Sequence, residues 1–421
     1  MLETLRAAWK VEDLRRRIFF TLLMLVVFRL GSHIPVPGVD SAIVQAKLQA
    51  GALFGLLNLF SGGAFFSFSV FAMTITPYIN AAIIMQLLTV AVPFLEQLAK
   101  EGEEGRKKMI QYTRYLTVIL AVVEAVGITF GLTRIAGAFY HPGLFEFALT
   151  VITLTAGTIF LMWVGEMITD QGIGNGISLL IFAGIVSQLP LGVSNIVTYL
   201  QAGTINFLNI ILLLVVALAV VGLVVVVQEG RRHIPVSYAK RVVGRKVYGG
   251  RSTYIPMQVN GAGVIPIIFA ISILAFPLTL AHFITAPWAT SIVNFMNFTT
   301  APYIIIEFIL VFAFTFFYTA VTFNPKDVAE NLQKYGGFIP GLRPGKPTQT
   351  HLERILTRLT VVGAVFLAAV AIMPNFITML TNIPNIYFGG TSLLILVGVA
   401  LETMKQIEAH LTMRSYQGFM R

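Results

Sequence analysis

Ile210-Ile211-Leu212-Leu213-Leu214-Val215-Val216-Ala217-Leu218-Ala219-Val220-Val221-Gly222-Leu223-Val224-Val225-Val226-Val227 is eighteen consecutive residues with Gly222 as the only non-hydrophobic member. So much valine would read as a buried strand in a water-soluble protein. The length argues otherwise. A bilayer core about 30 Å thick needs roughly 20 apolar residues as helix. In lipid a lone segment satisfies its backbone groups only as a helix. The stretch is therefore a membrane span, and it sets the test for the rest of the chain.

The composition agrees. Of 421 residues, 56% are hydrophobic and only 11% charged. Soluble domains carry about 25% charged residues. There is no cysteine, which excludes disulfides and thiolate metal sites. The same span test places helices near 18–34, 69–92, 109–131, 147–168, 175–190, 207–228, 259–283, 302–322, 357–376 and 389–406. Arg15, Arg16 and Arg17 ahead of Ile18 to Val27 resemble the start of a signal peptide. No small-residue cleavage site follows, so the segment reads as a retained first span.

Charge then orients the ten spans. The net charge is +10, and 26 of the 29 Lys and Arg residues fall in segments on one side. Those segments are 1–17, 95–115, 229–258, 324–358 and the tail from Met404. The opposite side holds Lys47 and Arg134, and Arg29 lies inside the first span. The positive-inside rule predicts that the basic side is cytoplasmic, with both termini there. Leu2, Leu5 and Trp9 share one helical face, which predicts a short amphipathic helix on that surface over 1–17.

Ten spans divide into two sets of five, and an odd number per set forces opposite orientations. Two echoes support the division. Gly176-Ile177-Ser178-Leu179-Leu180-Ile181 matches Gly390-Thr391-Ser392-Leu393-Leu394-Ile395, each after a Gly-containing turn. Ile75-Thr76-Pro77-Tyr78-Ile79 in the second span matches Val264-Ile265-Pro266-Ile267-Ile268 in the seventh. The predicted organisation is a first half at 18–190, a second half at 207–406 and a cytoplasmic tail at 407–421. Prolines at matching helices predict kinks and a pathway between the halves.

The residues at the echoed positions are isoleucines: Ile75, Ile79, Ile177, Ile181, Ile268 and Ile395. They offer nothing to an ion or a polar solute. A ring of them makes a hydrophobic constriction that gates by dewetting, while scattered they face lipid or fill a core. The segment Leu53 to Phe66, with Asn58, Phe60, Ser61, Gly62, Gly63 and Ala64, is apolar but too short and Gly-broken to span. It predicts a re-entrant or plugging helix. Glu124 and Glu307 lie at membrane depth, where an acid is a functional hypothesis by default, but no partner accompanies them.

Two basic loops carry more structure than topology requires. Residues 229–258, with Arg231, Arg232, Lys240, Arg241, Arg245 and Lys246, alternate β-branched and basic residues and predict a hairpin. In 324–358, the run Gly336-Gly337-Phe338-Ile339-Pro340-Gly341-Leu342-Arg343-Pro344-Gly345 predicts turns that hold Arg343 at a tip. Together they make a docking surface for anionic partners such as ribosomal RNA or an acidic motor surface.

Ten stretches spread along the chain carry a family resemblance. They are Ile34 to Gly38, Phe60 to Ala64, Pro77 to Ile79, Gln111 to Tyr115, Trp163 to Glu166, Gly172 to Ser178, Gly263 to Pro266, Phe323 to Pro325, Pro340 to Gly345 and Tyr387 to Leu394. Through them the whole chain resembles the SecY family, the pore subunits of the bacterial Sec protein translocon. The resemblance implies an all-α membrane fold of ten transmembrane helices in two inverted halves around a central pore with a plug helix. It implies that the six isoleucines form the pore ring and that 58–66 is the plug. The second and seventh spans would form a lateral gate, with Asn80, Gln86 and Asn260 as its polar residues. SecE, SecG, the SecA motor, the ribosome, a translocating polypeptide with its signal sequence and membrane lipid are the implied partners. No cofactor, metal or catalytic residue is implied. Composition and inverted repeats fit an ion-coupled transporter equally well, but that reading wants polar ligands where the echoes carry isoleucine. A membrane enzyme would need a nucleophile, metal or acid pair at membrane depth.

Overall fold

The structure is a computed structural model that describes every residue except 1, 49–51, 239–240, 244–245, 249–251, 284–285, 298–299, 382–389 and 420–421. The chain opens with α1 (Leu2–Lys10), α2 (Glu12–Gly31), α3 (Ser41–Leu48) and α4 (Ala52–Phe60). Then follow α5 (Thr76–Ala91), α6 (Pro93–Lys100), α7 (Glu103–Leu132), α8 (Leu144–Gln171), α9 (Gly176–Gln201) and α10 (Phe207–Glu229). Four strands come next: β1 (Arg231–Tyr238), β2 (Arg241–Val243), β3 (Lys246–Tyr248) and β4 (Ser252–Gln258). The chain ends with α11 (Ile265–Phe283), α12 (Pro287–Phe295), α13 (Ala301–Thr322), α14 (Pro325–Lys334), β5 (Gly337–Phe338), α15 (Lys346–Thr381) and α16 (Gly390–Phe419).

Among the described residues, α7, α8, α9, α10, α13 with α14, α15 and α16 are each long and apolar enough to cross a membrane. Counted as one span, α5 with α6, a pair bent by 100°, makes an eighth. The two other predicted spans are α2, which carries arginines near both ends, and the shorter apolar α11. The stretch that opened the sequence reading is α10. It buries only Val220, Val224 and Gln228, one residue per turn, and leaves most of its surface for lipid.

Several expectations about the spans change. The second span is helical only over the sixteen residues of α5, and 61–75 reaches it through turns. At a rise of 1.5 Å per residue that helix is about 24 Å long, short of a bilayer core. Pro77 does not kink it but stands in its first turn, where the missing N–H has no helical partner to lose. Pro266 occupies the same place in α11. The fifth span runs on through Pro190 to Gln201, and the last span continues as helix through the predicted tail to Phe419.

One apolar core joins the halves. It gathers Phe28 of α2, Ile75 and Ile79, Leu180 and Ile181 of α9, Val220 of α10, Ile267 and Ile268 of α11, Val311 of α13, and Leu394 and Ile395 of α16. A second core forms under the turns at 61–75, around Phe65, Phe68, Ala72 and Met73 with Ala125 and Leu132 of α7. On the basic face β1 pairs antiparallel with β4, from Arg231↔Gln258 to Ser237↔Ser252. It also pairs with β5, at Ser237↔Phe338 and Tyr238↔Gly337. The predicted hairpin is therefore one part of a three-stranded sheet, and its other edge belongs to the second basic loop.

Candidate functional site

At the centre of the main core is a cavity of about 30 Å³. That is room for about two waters. Five of the six predicted isoleucines line it: Ile75, Ile79, Ile181, Ile268 and Ile395. They come from α5 and its cap, α9, α11 and α16, so both halves contribute. Ile75 and Ile395 are 0% exposed and Ile268, the most open, is 9% exposed. The constriction is thus shut. Full burial of an isoleucine is worth about 1.5–3 kcal/mol, and the contacts that supply it have no preferred direction. Ile177 is not in the lining. It stands one turn before Ile181, its N–H accepted by the Asn175 side chain at 3.1 Å, and packs half-buried against the same core.

The chain enters the site through strained backbone. Thr74, at φ +55°, precedes Ile75 and also lines the cavity. Non-glycine residues hold such angles only where their surroundings enforce them. Sequence reasoning missed Ile271 and Ala275, which line the cavity from α11. Their spacing of three and seven from Ile268 repeats one helical face and was legible.

Leu57 and Phe60 of α4 also line the cavity. After Phe60 the chain folds into a turn that hydrogen-bonds to itself. Ser61 Oγ donates to Asn58 O and accepts from Phe65 N, both at 3.0 Å. Asn58 Oδ1 accepts from Phe66 N at 2.9 Å. Gly62 and Gly63 sit at φ +65° and +94°. A Cβ on Gly62 would meet Ser187 and Gly184 of α9, and one on Gly63 would strike the Gln188 amide. Across the contact, a Cβ on Gly184 would overlap the Phe60 carbonyl. Glycines on both sides let the turn and α9 approach backbone to backbone. Ala64, fully buried, completes the seat.

The three predicted gate residues are not equivalent. Asn80 and Gln86 lie on α5, which packs against α7 and α11. Both polar atoms of Asn80 and the Oε1 of Gln86 are buried without a partner. Asn260 belongs instead to the turn before α11, where its Nδ2 donates to Gly263 O at 3.0 Å beside Gly363 of α15. Glu124 of α7 and Glu307 of α13 are buried, each with one carboxylate oxygen unpaired.

On the basic face Arg231, Arg232 and Arg343 are exposed. The Arg343 carbonyl accepts from Thr348 Oγ1 at 2.8 Å, which fixes the turn before α15. Ile234, Val236, Met257, Leu332, Ile339 and Leu352 form a small core beneath the sheet. Arg241 and Lys246 lie on β2 and β3. Lys240 and Arg245 lie outside the described residues. Among the described residues no three acidic or histidine side chains gather as a metal site.

The SecY family model matches residues 69–404. The chain belongs to the SecY family. A protein translocase subunit SecY from Halalkalibacterium halodurans is 49% identical over the full length of both chains. Two solved structures share the fold. One, from a study of a SecY plug domain that stabilises the closed state of its translocation channel, superposes with a TM-score of 0.66 at 22% identity over 94% of this chain and 92% of the other. The other, Sec61 in a canine ribosome–channel complex, has a TM-score of 0.60 at 19% identity over the same shares. The SecY-family chain is accordingly a multi-pass membrane subunit of a protein-conducting channel and not an enzyme.

Proposed function

We propose that the isoleucine-lined cavity is the resting constriction through which unfolded polypeptide crosses the membrane. In this reading Ile75, Ile79, Ile177, Ile181, Ile268 and Ile395 form the ring. Asn58, Phe60, Ser61, Gly62, Gly63 and Ala64 belong to the plug above it. Its carrying observation is the shut apolar cavity drawn from both halves and lined also by α4. A gasket of branched alkyl groups suits this cargo, because it re-forms around any side chain and sheds ions by dewetting.

The remaining assignments follow from that one. Residues 18–190 and 207–406 act as two halves that part between α5 and α11, and membrane segments leave sideways into lipid past Asn80, Gln86 and Asn260. The basic face is cytoplasmic, in the cell's inner membrane, with both termini there. The sheet and the Arg343 turn receive the SecA motor or the ribosome through Arg231, Arg232, Lys240, Arg241, Arg245, Lys246 and Arg343. A likeness to a ribosome-bound channel supports the last point. SecE and SecG are the expected small membrane partners, and driving force comes from the motor or from translation.

Deleting residues 58–65 and reconstituting the complex in planar bilayers tests the reading. A resting ion conductance absent from the parent is the expected result. A folded deletion variant that stays electrically silent rules the plug out.

A further inference from the structure

Arg29 is the basic residue that the charge count left on neither side. It stands in the last turn of α2, at the end away from the basic face. Its side chain turns to a backbone carbonyl, with Nη1 donating to Gly62 O thirty-three residues later. The helix end that presents it is itself fixed: the Arg29 carbonyl accepts from Ser32 Oγ at 2.8 Å and lies 2.9 Å from His33 Nδ1.

The Ser187 hydroxyl of α9 donates to Gly184 O of its own helix at 2.8 Å and stands 3.5 Å from Gly62 O. Of these two neighbours, the Arg29 guanidinium is the one that bonds this oxygen of the turn. The turn's own polar side chains do not look outward in this way. Asn58 and Ser61 bond within the turn. Phe60 and Leu57 touch the channel wall through apolar contact.

These two kinds of contact behave differently when a chain enters. Phe60 can exchange one apolar neighbour for another at little loss, because dispersion and burial are non-directional. The Arg29 hydrogen bond cannot be exchanged so freely. Unseating the turn leaves a guanidinium without its acceptor at the edge of an apolar core, beside the buried Phe28. A weak, sliding apolar fit needs one directional contact to define the closed position.

We propose that Arg29 is a positioning residue for the closed channel: its guanidinium latches the plug turn at the Gly62 carbonyl. The inference rests on the plug reading above. It predicts that the seal depends on a side chain of the first span that lines neither the cavity nor the gate.

The test uses the purified complex in planar bilayers with three variants. Arg29→Met keeps the length and removes the donors, Arg29→Lys keeps a charged donor, and Ser187→Ala is a control that removes a neighbouring hydroxyl bonded to its own helix. The chain has no cysteine. A Leu57→Cys reporter can therefore be labelled with an impermeant maleimide in each background. Arg29→Met is expected to raise resting conductance and labelling rate about tenfold, the scale of a lost charge-assisted hydrogen bond. Arg29→Lys should restore most of the seal, and Ser187→Ala should stay close to the parent; an opening there as large as that of Arg29→Met would count against a latch specific to Arg29. Parent-like conductance and labelling in Arg29→Met overturn the latch, provided the 58–65 deletion conducts. If that deletion is silent too, the plug reading has failed and not the latch alone. Should Arg29→Met not assemble, Arg29→Gln decides, and an unchanged seal there counts against the latch.

Discussion

The throat and the basic platform of this channel subunit are held together by opposite means. At the throat, side chains from α5, α9, α11 and α16 meet by apolar contact around Ile75, Ile181, Ile268 and Ile395. On the platform β1 is stitched to β4 through seven register pairs and to β5 through two more. Apolar contact is non-directional and can re-form around a passing chain. A strand ladder is directional, and slipping it by one residue turns every side chain to the wrong face. On the proposed function, the first region gives way to the passing chain while the second keeps its shape.

The largest effect should come from giving the throat a directional demand. Ile181→Asn replaces buried alkyl surface with an amide that has no partner, a loss of about 3 kcal/mol or more from the closed state. Resting conductance in bilayers should rise by about two orders of magnitude, whereas Ile181→Val should hold the seal. If both variants seal alike, the throat does not work as a gasket. A smaller, opposite kind of change is expected on the platform. Arg343→Glu alters recognition without touching the fold, so motor- or ribosome-driven translocation should fall about tenfold at an unchanged thermal midpoint. Unchanged transport would remove Arg343 from the docking site. The least effect is expected where charge does neither job. Glu103 and Lys107 form an exposed pair at 3.7 Å, and Glu103→Gln should leave both stability and transport as they were. A clear loss would mean that the basic face works through charges outside the sheet.

How much of this was legible beforehand follows the same division. Spans such as α10 were readable because lipid imposes its length and polarity on each segment separately. The isoleucines were readable because the two halves repeat. The turns before α5 were not, since nothing in a run such as Ser69-Val70-Phe71-Ala72-Met73 says that helix begins only at Thr76. Pro77 misled because a proline reads as a kink until the helix start is known. The β1–β5 pairing was hidden for a further reason: it joins residues about a hundred positions apart, and β5 is only two residues long. Arg29 was visible as a charge out of place, but its acceptor is a main-chain oxygen, which carries no sequence signal.

The platform also sits on the membrane part with almost no slack. Gly230 alone separates α10 from β1. Its carbonyl accepts from Val259 N at 2.9 Å, where β4 gives way to the turn leading into α11. A push against the sheet is therefore delivered to the tops of α10 and α11 as through a short stiff lever. Through β5 the same push reaches the segment between α13 and α15. Whatever seats itself on the basic face holds the second half of the channel by several of its helices at once.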